Sequence, residues 1–393
     1  MKILVTGGAG FIGSNLVHFW IWKHPNDEVI VLDKLTYAGN IENLKDLQDN
    51  PKFRFVKGDI NDYSLVREIA KNCNVVLHLA AESHVDRSLS GPAAAQEFWD
   101  TNVKGTRSLL EAISSLPLGQ RPKMTIVMST DEVWGHLELD SDRKFHLGMD
   151  LRPSQPYSES KAHQQLTAHI YNRDRYPSVE FEHYIDTPMT AVVNCTNVIG
   201  PYQYPEKFIP LSITNVLEGK PIRVYGEGIH VREWIDVEDL CRGFEDVIYK
   251  GRIGSSDRDI PYVLKDTEGR IVAGPIKGAQ YLFGSGQEIS NIDLAKMILR
   301  KMGKEVVIAK EKDDHEGRAT IHLVGDRPIH DLRYAIDFTE TTNELGWKPE
   351  FKLDEALDKT IKWYTTHPEW WRPLKEGKRV VYEWETSSQK ERE

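Results

Sequence analysis

Thr130, Asp131 and Glu132 set a hydroxyl and two carboxyl groups side by side, directly after the apolar run "MTIVMS". A buried strand end has no structural need for adjacent acids, because two carboxylates in a dry place repel and lose hydration. Carboxyl groups that share a site titrate as a pair, and one keeps its proton more easily than the other. An elimination needs that division: one acid and one base, held together. An Asp-Glu pair taken alone is more often a turn cap beside a solvated face. The reading therefore depends on the residues around it.

Tyr157 and Lys161 form Y-x-x-x-K, and a spacing of four puts both on one helix face. Lys161 can bind a nicotinamide ribose, and its charge is expected to lower the Tyr157 pKa. Tyr157 then acts as a base toward a sugar hydroxyl. Thr130 is placed to hydrogen-bond the same hydroxyl. Gly8, Gly10 and Gly13 give G-x-G-x-x-G between a strand and a helix, and Gly7 extends the run. Such a turn lets a pyrophosphate approach the backbone and meet the positive helix end. Asp33 follows Gly13 by twenty residues at the end of "EVIVLD". A carboxylate there accepts the adenosine ribose hydroxyls and repels a 2′-phosphate, which favours NAD over NADP. Asp59 and Ile60 border the adenine. The candidate cofactor set is Gly7, Gly10, Phe11, Ile12, Gly13, Asp33, Lys34, Thr36, Asp59, Ile60, Ala80, Tyr157 and Lys161.

Strands and helices alternate from "KILVT" to "MTAVVNCTNVIGP", which predicts an α/β fold with a parallel sheet covered on both faces. A long helix is expected within Ala94–Leu116, with Asn102 and Gly105 packed against their surroundings. Residues 1–195 read as a mainly NAD-binding Rossmann domain. Residues 196–372 read as a smaller α/β substrate lobe with possible chain crossover, and 373–393 as a charged tail. The 393 residues suit two packed lobes. A net charge of −10 argues against general nucleic-acid binding. Three scattered cysteines give neither a disulfide framework nor a zinc pattern, and no metal is expected. No apolar run is long enough to span a membrane, no signal peptide is read, and a cytoplasmic location is expected.

The stretches "TGGAGFIGSN", "HLAAESHVDRS", "STDEVWG", "YSESKA", "GPYQYPEKFIP", "VREWIDVEDL" and "DRPIHDLRYAID" resemble the nucleotide-sugar branch of the extended short-chain dehydrogenase/reductase superfamily. Within it, the chain is most similar to the dTDP-glucose 4,6-dehydratases, which are carbon–oxygen lyases. The resemblance implies oxidation at C4 with Tyr157 as base, removal of the C5 proton by Glu132, and protonation of the departing 6-hydroxyl by Asp131. Reduction at C6 then gives the 4-keto-6-deoxy sugar. It also implies that Ser83, His84 and Asp86 line the sugar region. Asn194, Lys207 and Arg232 would approach the diphosphate. Asn291, Arg327 and Tyr225 are further substrate candidates, and Tyr334 would stack near the nucleobase. A homodimer through a helix bundle is implied as well.

Trp134 stands where the family usually has tyrosine, and Asn197-Val198-Ile199 replaces a more polar run. "EFEHYIDTPMTA" reads as an insertion and "VLKDTEGRIVAGPI" as an extra hairpin. These departures keep UDP-glucose or an amino-sugar nucleotide open as substrate. A nucleotide-sugar 4-epimerase or decarboxylase is a second reading, and a silent NAD-binding scaffold a third. The aromatic cluster "WYTTHPEWWRPL" is expected to pack or to form a subunit contact.

Overall fold

The computed structural model describes residues 1–171, 189–251 and 279–376, with short strand segments at 259–260, 264–265, 271–273 and 276–277. Seven strands form one parallel sheet: β1 (Lys2–Thr6), β2 (Glu28–Asp33), β3 (Phe53–Lys57), β4 (Val75–His78), β5 (Met124–Met128), β6 (Met189–Cys195) and β7 (Ala279–Phe283). Their spatial order is β7-β6-β5-β4-β1-β2-β3. The order therefore reverses between β1 and β4. At such a switch point the loops leave in opposite directions and open a crevice at the strands' carboxyl ends.

The strands are apolar on both faces because helices cover both. Ile3, Val5, Val29, Val31 and Leu77 pack beneath the first helix, Phe11–Lys23, and the helix Val237–Lys250. Leu4, Ile30, Leu32 and Val76 pack on the other face beneath the helices Tyr63–Ala70 and Thr106–Ser114. Each such aliphatic side chain contributes about 1.5–3 kcal/mol on burial. Residues beyond 200 supply much of the first face, and β7 returns to pair beside β6. The chain thus crosses back into the first lobe. A second core gathers Ile213, Leu294, Ile298, Leu357 and Trp371 around two three-stranded sheets.

The expected long helix is continuous from Pro92 to Ser114, but its centre, Trp99–Gly105, is a π-helix. Asn102 in that wide stretch accepts from Glu82 N at 2.9 Å and donates to Glu82 O at 3.0 Å and Ser160 Oγ at 2.9 Å. It ties the end of β4 to the helix of Tyr157. Leu264–Lys265 pair antiparallel with residues 271–273, where the extra hairpin was expected. Residues 180–188 of the expected insertion lie outside the described residues. The helix Pro368–Lys375 runs through the start of the expected tail, and residues beyond 376 are outside the description.

Candidate active site

A cavity of about 280 Å³ opens at the carboxyl ends of the strands. Every residue of the predicted cofactor set lines it. Gly7 has φ +71°, and a Cβ there would stand 2.6 Å from the Ala80 backbone nitrogen. A Cβ on Gly13 would run into the Gly7 carbonyl. No side chain caps the first helix at Gly10, which leaves its leading amides and positive dipole end to a ligand. Asp33 accepts from Ala9 N at 2.9 Å and Leu35 N at 2.8 Å. Burial raises its pKa against those bonds, and each oxygen keeps a lone pair for a ribose diol. Lys34 pairs with Asp59 at 2.7 Å, so the two act together at the rim. A side-chain-free cradle, a free helix end and an acid at the end of β2 fit a dinucleotide such as NAD.

Beyond the cradle, β5 delivers Thr130, Asp131 and Glu132 into a single turn capped by Thr130. Thr130 Oγ1 donates to Asp131 Oδ1 at 3.1 Å. Asp131 Oδ2 is buried and has no hydrogen-bond partner among the described residues. Burial and the Glu132 charge push Asp131 well above the carboxylate range. Glu132 lines the cavity and accepts from Gln155 Nε2 at 3.0 Å. Burial raises its pKa too, opposed by Arg327. The site therefore sets an acid whose proton is favoured, with an open oxygen, beside a second carboxyl held by the Gln155 amide.

The helix Pro156–Ile170 brings in Tyr157 and Lys161. Lys161 Nζ donates to Met128 O at 2.6 Å and to Gln164 Oε1. Gln164 Nε2 donates to Thr106 Oγ1 at 2.9 Å, and His78 Nε2 shares that oxygen at 2.8 Å. Thr106 gives its own proton to Asn102 O at 2.7 Å, so His78 must be the donor there. Burial takes His78 down to about 3, and Lys161 down to about 7. The expected lowering of Tyr157 by Lys161 is not what the protein's own groups produce. Burial and Glu132 push the Tyr157 phenol well above its usual value, with the Thr130 hydrogen bond opposing.

Of the predicted substrate residues, Ser83 and Lys207 line the cavity, and Lys207 Nζ donates to Ser83 O at 2.7 Å. His84 caps the turn Val85–Ser88 and is held neutral by burial and by Lys207. Asp86 gathers the Tyr225 hydroxyl at 3.1 Å and Arg327 at 3.3 Å. Arg232 donates to the Asp331 carbonyl at 2.8 Å and sits 4.1 Å over the Tyr334 ring. Asn291 opens the helix Asn291–Lys301, its backbone bonded to His230 O at 2.9 Å.

Two expectations are corrected. Asn194 does not reach toward a diphosphate: it is fully buried, and its amide is consumed by Thr130 O, Gln165 and Gln280. It braces the acid turn from behind. Tyr334 does not offer an open face to a base, because it is buried, with Arg232 over one side of the ring. Its hydroxyl donates to Asp331 Oδ2 at 2.5 Å and lies 3.5 Å from Glu132 Oε2. Of the apolar departures, Val198 lines the cavity, while Ile199 packs into the second core. Trp134 packs on Phe145 at 5.6 Å.

Sequence reasoning missed Tyr37, Tyr204 and Glu206, which close one side of the cavity. Tyr37 meets Tyr204 edge-on at 5.6 Å, and Arg87 lies 3.6 Å over Tyr37 while pairing with Glu206 at 3.2 Å. The quoted run "GPYQYPEKFIP" contains Tyr204 and Glu206, and Tyr37 lies in "LTYAGN", but nothing in either run pairs them. His230, Asp326 and His330 also converge, with Asp326 bonded to His330 Nδ1 at 2.6 Å. Arg232 and Arg327 stand beside both imidazoles and hold them neutral, together with burial. The aromatic cluster packs within the chain: Trp371 is buried, and Trp370 Nε1 donates to Asn43 Oδ1 at 2.7 Å. Asn43 in turn donates to the Ala9 carbonyl of the glycine turn at 2.9 Å.

A family model described as GDP-mannose 4,6 dehydratase matches residues 4–360. A dTDP-glucose 4,6-dehydratase of Mycobacterium tuberculosis is 38% identical over 384 residues, covering 98% of this chain and 99% of that one. One from Escherichia coli is 39% identical over 392 residues, covering 96% and 97%. The crystal structure of a dTDP-glucose 4,6-dehydratase from Streptomyces venezuelae with NAD bound superposes with a TM-score of 0.78 at 36% identity, covering 95% of this chain and 100% of that one. A UDP-glucuronic acid 4-epimerase from Bacillus cereus shares the fold at 23% identity and a TM-score of 0.73.

Proposed function

The chain belongs to the GDP-mannose 4,6 dehydratase family of extended short-chain dehydrogenase/reductases, and on that premise we propose that it converts dTDP-glucose to the 4-keto-6-deoxy sugar nucleotide. The observation that carries the reading is Asp131. It is buried, one of its oxygens has no hydrogen-bond partner among the described residues, burial and the adjacent Glu132 push its pKa up, and it lines one cavity with Tyr157. An epimerase has no use for such a proton donor.

When bound, NAD would supply the hydride acceptor for oxidation at C4 and the hydride donor for reduction at C6; the rest is done by side chains. Tyr157 takes the 4-hydroxyl proton as a phenolate, which the positive charge of the bound nicotinamide would have to favour against burial and Glu132, and Thr130 orients that hydroxyl. The resulting ketone makes the C5 hydrogen acidic. Glu132 removes it, and Asp131 gives its proton to the departing 6-hydroxyl, so water leaves and a C5–C6 double bond forms. Glu132 then returns its proton to C5. Lys161 holds the nicotinamide ribose, Asp33 the adenosine ribose, and the Gly7–Gly13 turn the pyrophosphate. Ser83, Lys207, Arg232 and Arg327 place positive charge and donors on the nucleotide-sugar side.

We also assign residues 1–195 mainly to the cofactor lobe and 196–372 mainly to the sugar-nucleotide lobe. A homodimer through the helices Pro92–Phe98, Thr106–Ser114 and Pro156–Ile170 and a cytoplasmic setting belong to the same reading. Among the described residues, no helix is long and apolar enough to cross a membrane. A second reading keeps UDP-glucose as the substrate. Uracil lacks one methyl of thymine, worth about 1–3 kcal/mol in a fitted slot. Incubating the protein with NAD and either nucleotide sugar, followed by product mass, tests both readings. Loss of one water from dTDP-glucose is expected. No mass change with either sugar would overturn the dehydratase reading.

A further inference from the structure

Gln155 precedes Pro156 and holds an extended backbone at the start of the Tyr157 helix. It is 5% exposed. Its Oε1 accepts from Tyr157 N at 2.8 Å and from Ser158 N at 3.3 Å. Ser158 Oγ answers by accepting from Gln155 N at 3.2 Å, which completes a capping box. Two backbone donors can be met only by the carbonyl end of the amide, so the amide orientation is fixed. Its donor end then faces Glu132 Oε2 at 3.0 Å.

We propose that Gln155 is a positioning residue that couples the base to the oxidation helix, capping that helix with one end of its amide and holding Glu132 with the other. The inference rests on the dehydratase reading above. Among the described residues, no hydrogen bond to Glu132 is shorter. The Tyr334 hydroxyl lies further away and spends its proton on Asp331. The ionisable groups around Glu132 are Asp131, Asp331, Arg327, Arg232, Lys207, Tyr157 and Tyr334. Gln155 adds a neutral donor that favours ionised Glu132 and competes with none of these charges. Among the described residues, Asp131 Oδ2 receives no such donor. The amide therefore gives the two adjacent acids opposite tasks.

Gln155→Ser separates the two ends, because a serine hydroxyl caps a helix but does not reach Glu132. The full-length protein with NAD and dTDP-glucose is followed by NADH absorbance for C4 oxidation and by solvent deuterium entering C5. Oxidation should stay within about twofold, while exchange falls about tenfold near neutral pH, the worth of one charge-assisted hydrogen bond. The acidic limb of the exchange profile should move to higher pH. Gln155→Asn, also a good cap and too short to reach Glu132, should repeat the result if the serine variant folds poorly. Equal slowing of both steps with an unmoved acidic limb would reduce Gln155 to a helix cap and overturn the proposal, as would no change in either step. An unaltered protein that binds NAD yet gives neither NADH nor exchange would overturn the dehydratase reading, and this one with it.

Discussion

The Gly7–Gly13 turn closes against Ala80 and Asp33 largely through backbone, whereas Glu132 is surrounded by Gln155, Tyr334, Arg327 and Arg232 side chains drawn from distant parts of the chain. Both lie at the carboxyl ends of strands of the same sheet. The turn is limited by sterics: an added methyl meets a carbonyl or a backbone nitrogen. The acid pocket is limited by electrostatics: each neighbour adjusts how firmly a proton is held. Damage to the turn should weaken binding, while damage to the pocket should separate one chemical step from the next.

Asp131→Asn should break the pocket most severely. The amide can donate a hydrogen bond but cannot give up a proton, so loss of water should slow by about 10²- to 10⁴-fold. Oxidation should continue, and NADH should build up during a single turnover. Unchanged water release, read by product mass, would remove Asp131 from its role. Gly13→Ala should break the turn by forcing a methyl toward the Gly7 carbonyl. About 1–3 kcal/mol of overpacking corresponds to NAD affinity weaker by roughly 10- to 100-fold. An unaltered NAD titration would show that the turn yields more easily than its geometry implies.

The smallest effect is on stability. Buried Lys161 has its pKa lowered from 10.5 to about 7. Between these values the unfolded chain binds more protons, so stability should rise with pH. Below about pH 7 the folded chain carries the buried charge and bears its full desolvation cost. Lys161→Met in the cofactor-free protein should therefore help most below pH 7, with the benefit shrinking toward pH 10. Thermal melts at about pH 6 and about pH 9 check the trend. An equal difference at both would mean that Lys161 is not held near the point of deprotonation.

The turn was legible because its determinants are contiguous: three glycines, a helix start and an acid at the next strand end. Tyr157 and Lys161 were legible for the same reason, sharing one helix face. Asn194 was misread because the sequence cannot tell a strand's cavity end from its buried flank. Three amide partners, from Thr130, Gln165 and Gln280, decide the matter. Tyr334 was misread because the arginine over its ring, Arg232, lies on the strand Val231–Asp236, far away in sequence. The capping role of Gln155 needed only its neighbours, but its grip on Glu132 needed the fold. The π-helical stretch around Asn102 left no sign in the hydrophobic spacing, since it changes how the backbone winds without changing which residues are apolar.

Trp370 braces Asn43, and Asn43 braces Ala9 in the glycine turn. The indole lies 327 residues beyond the asparagine it holds. A ribosome therefore releases the nucleotide cradle long before its brace. The cradle waits 327 residues for that contact, and a chain cut short before Trp370 lacks it. Retention of cofactor should then distinguish chains that reach Trp370 from those that stop short of it.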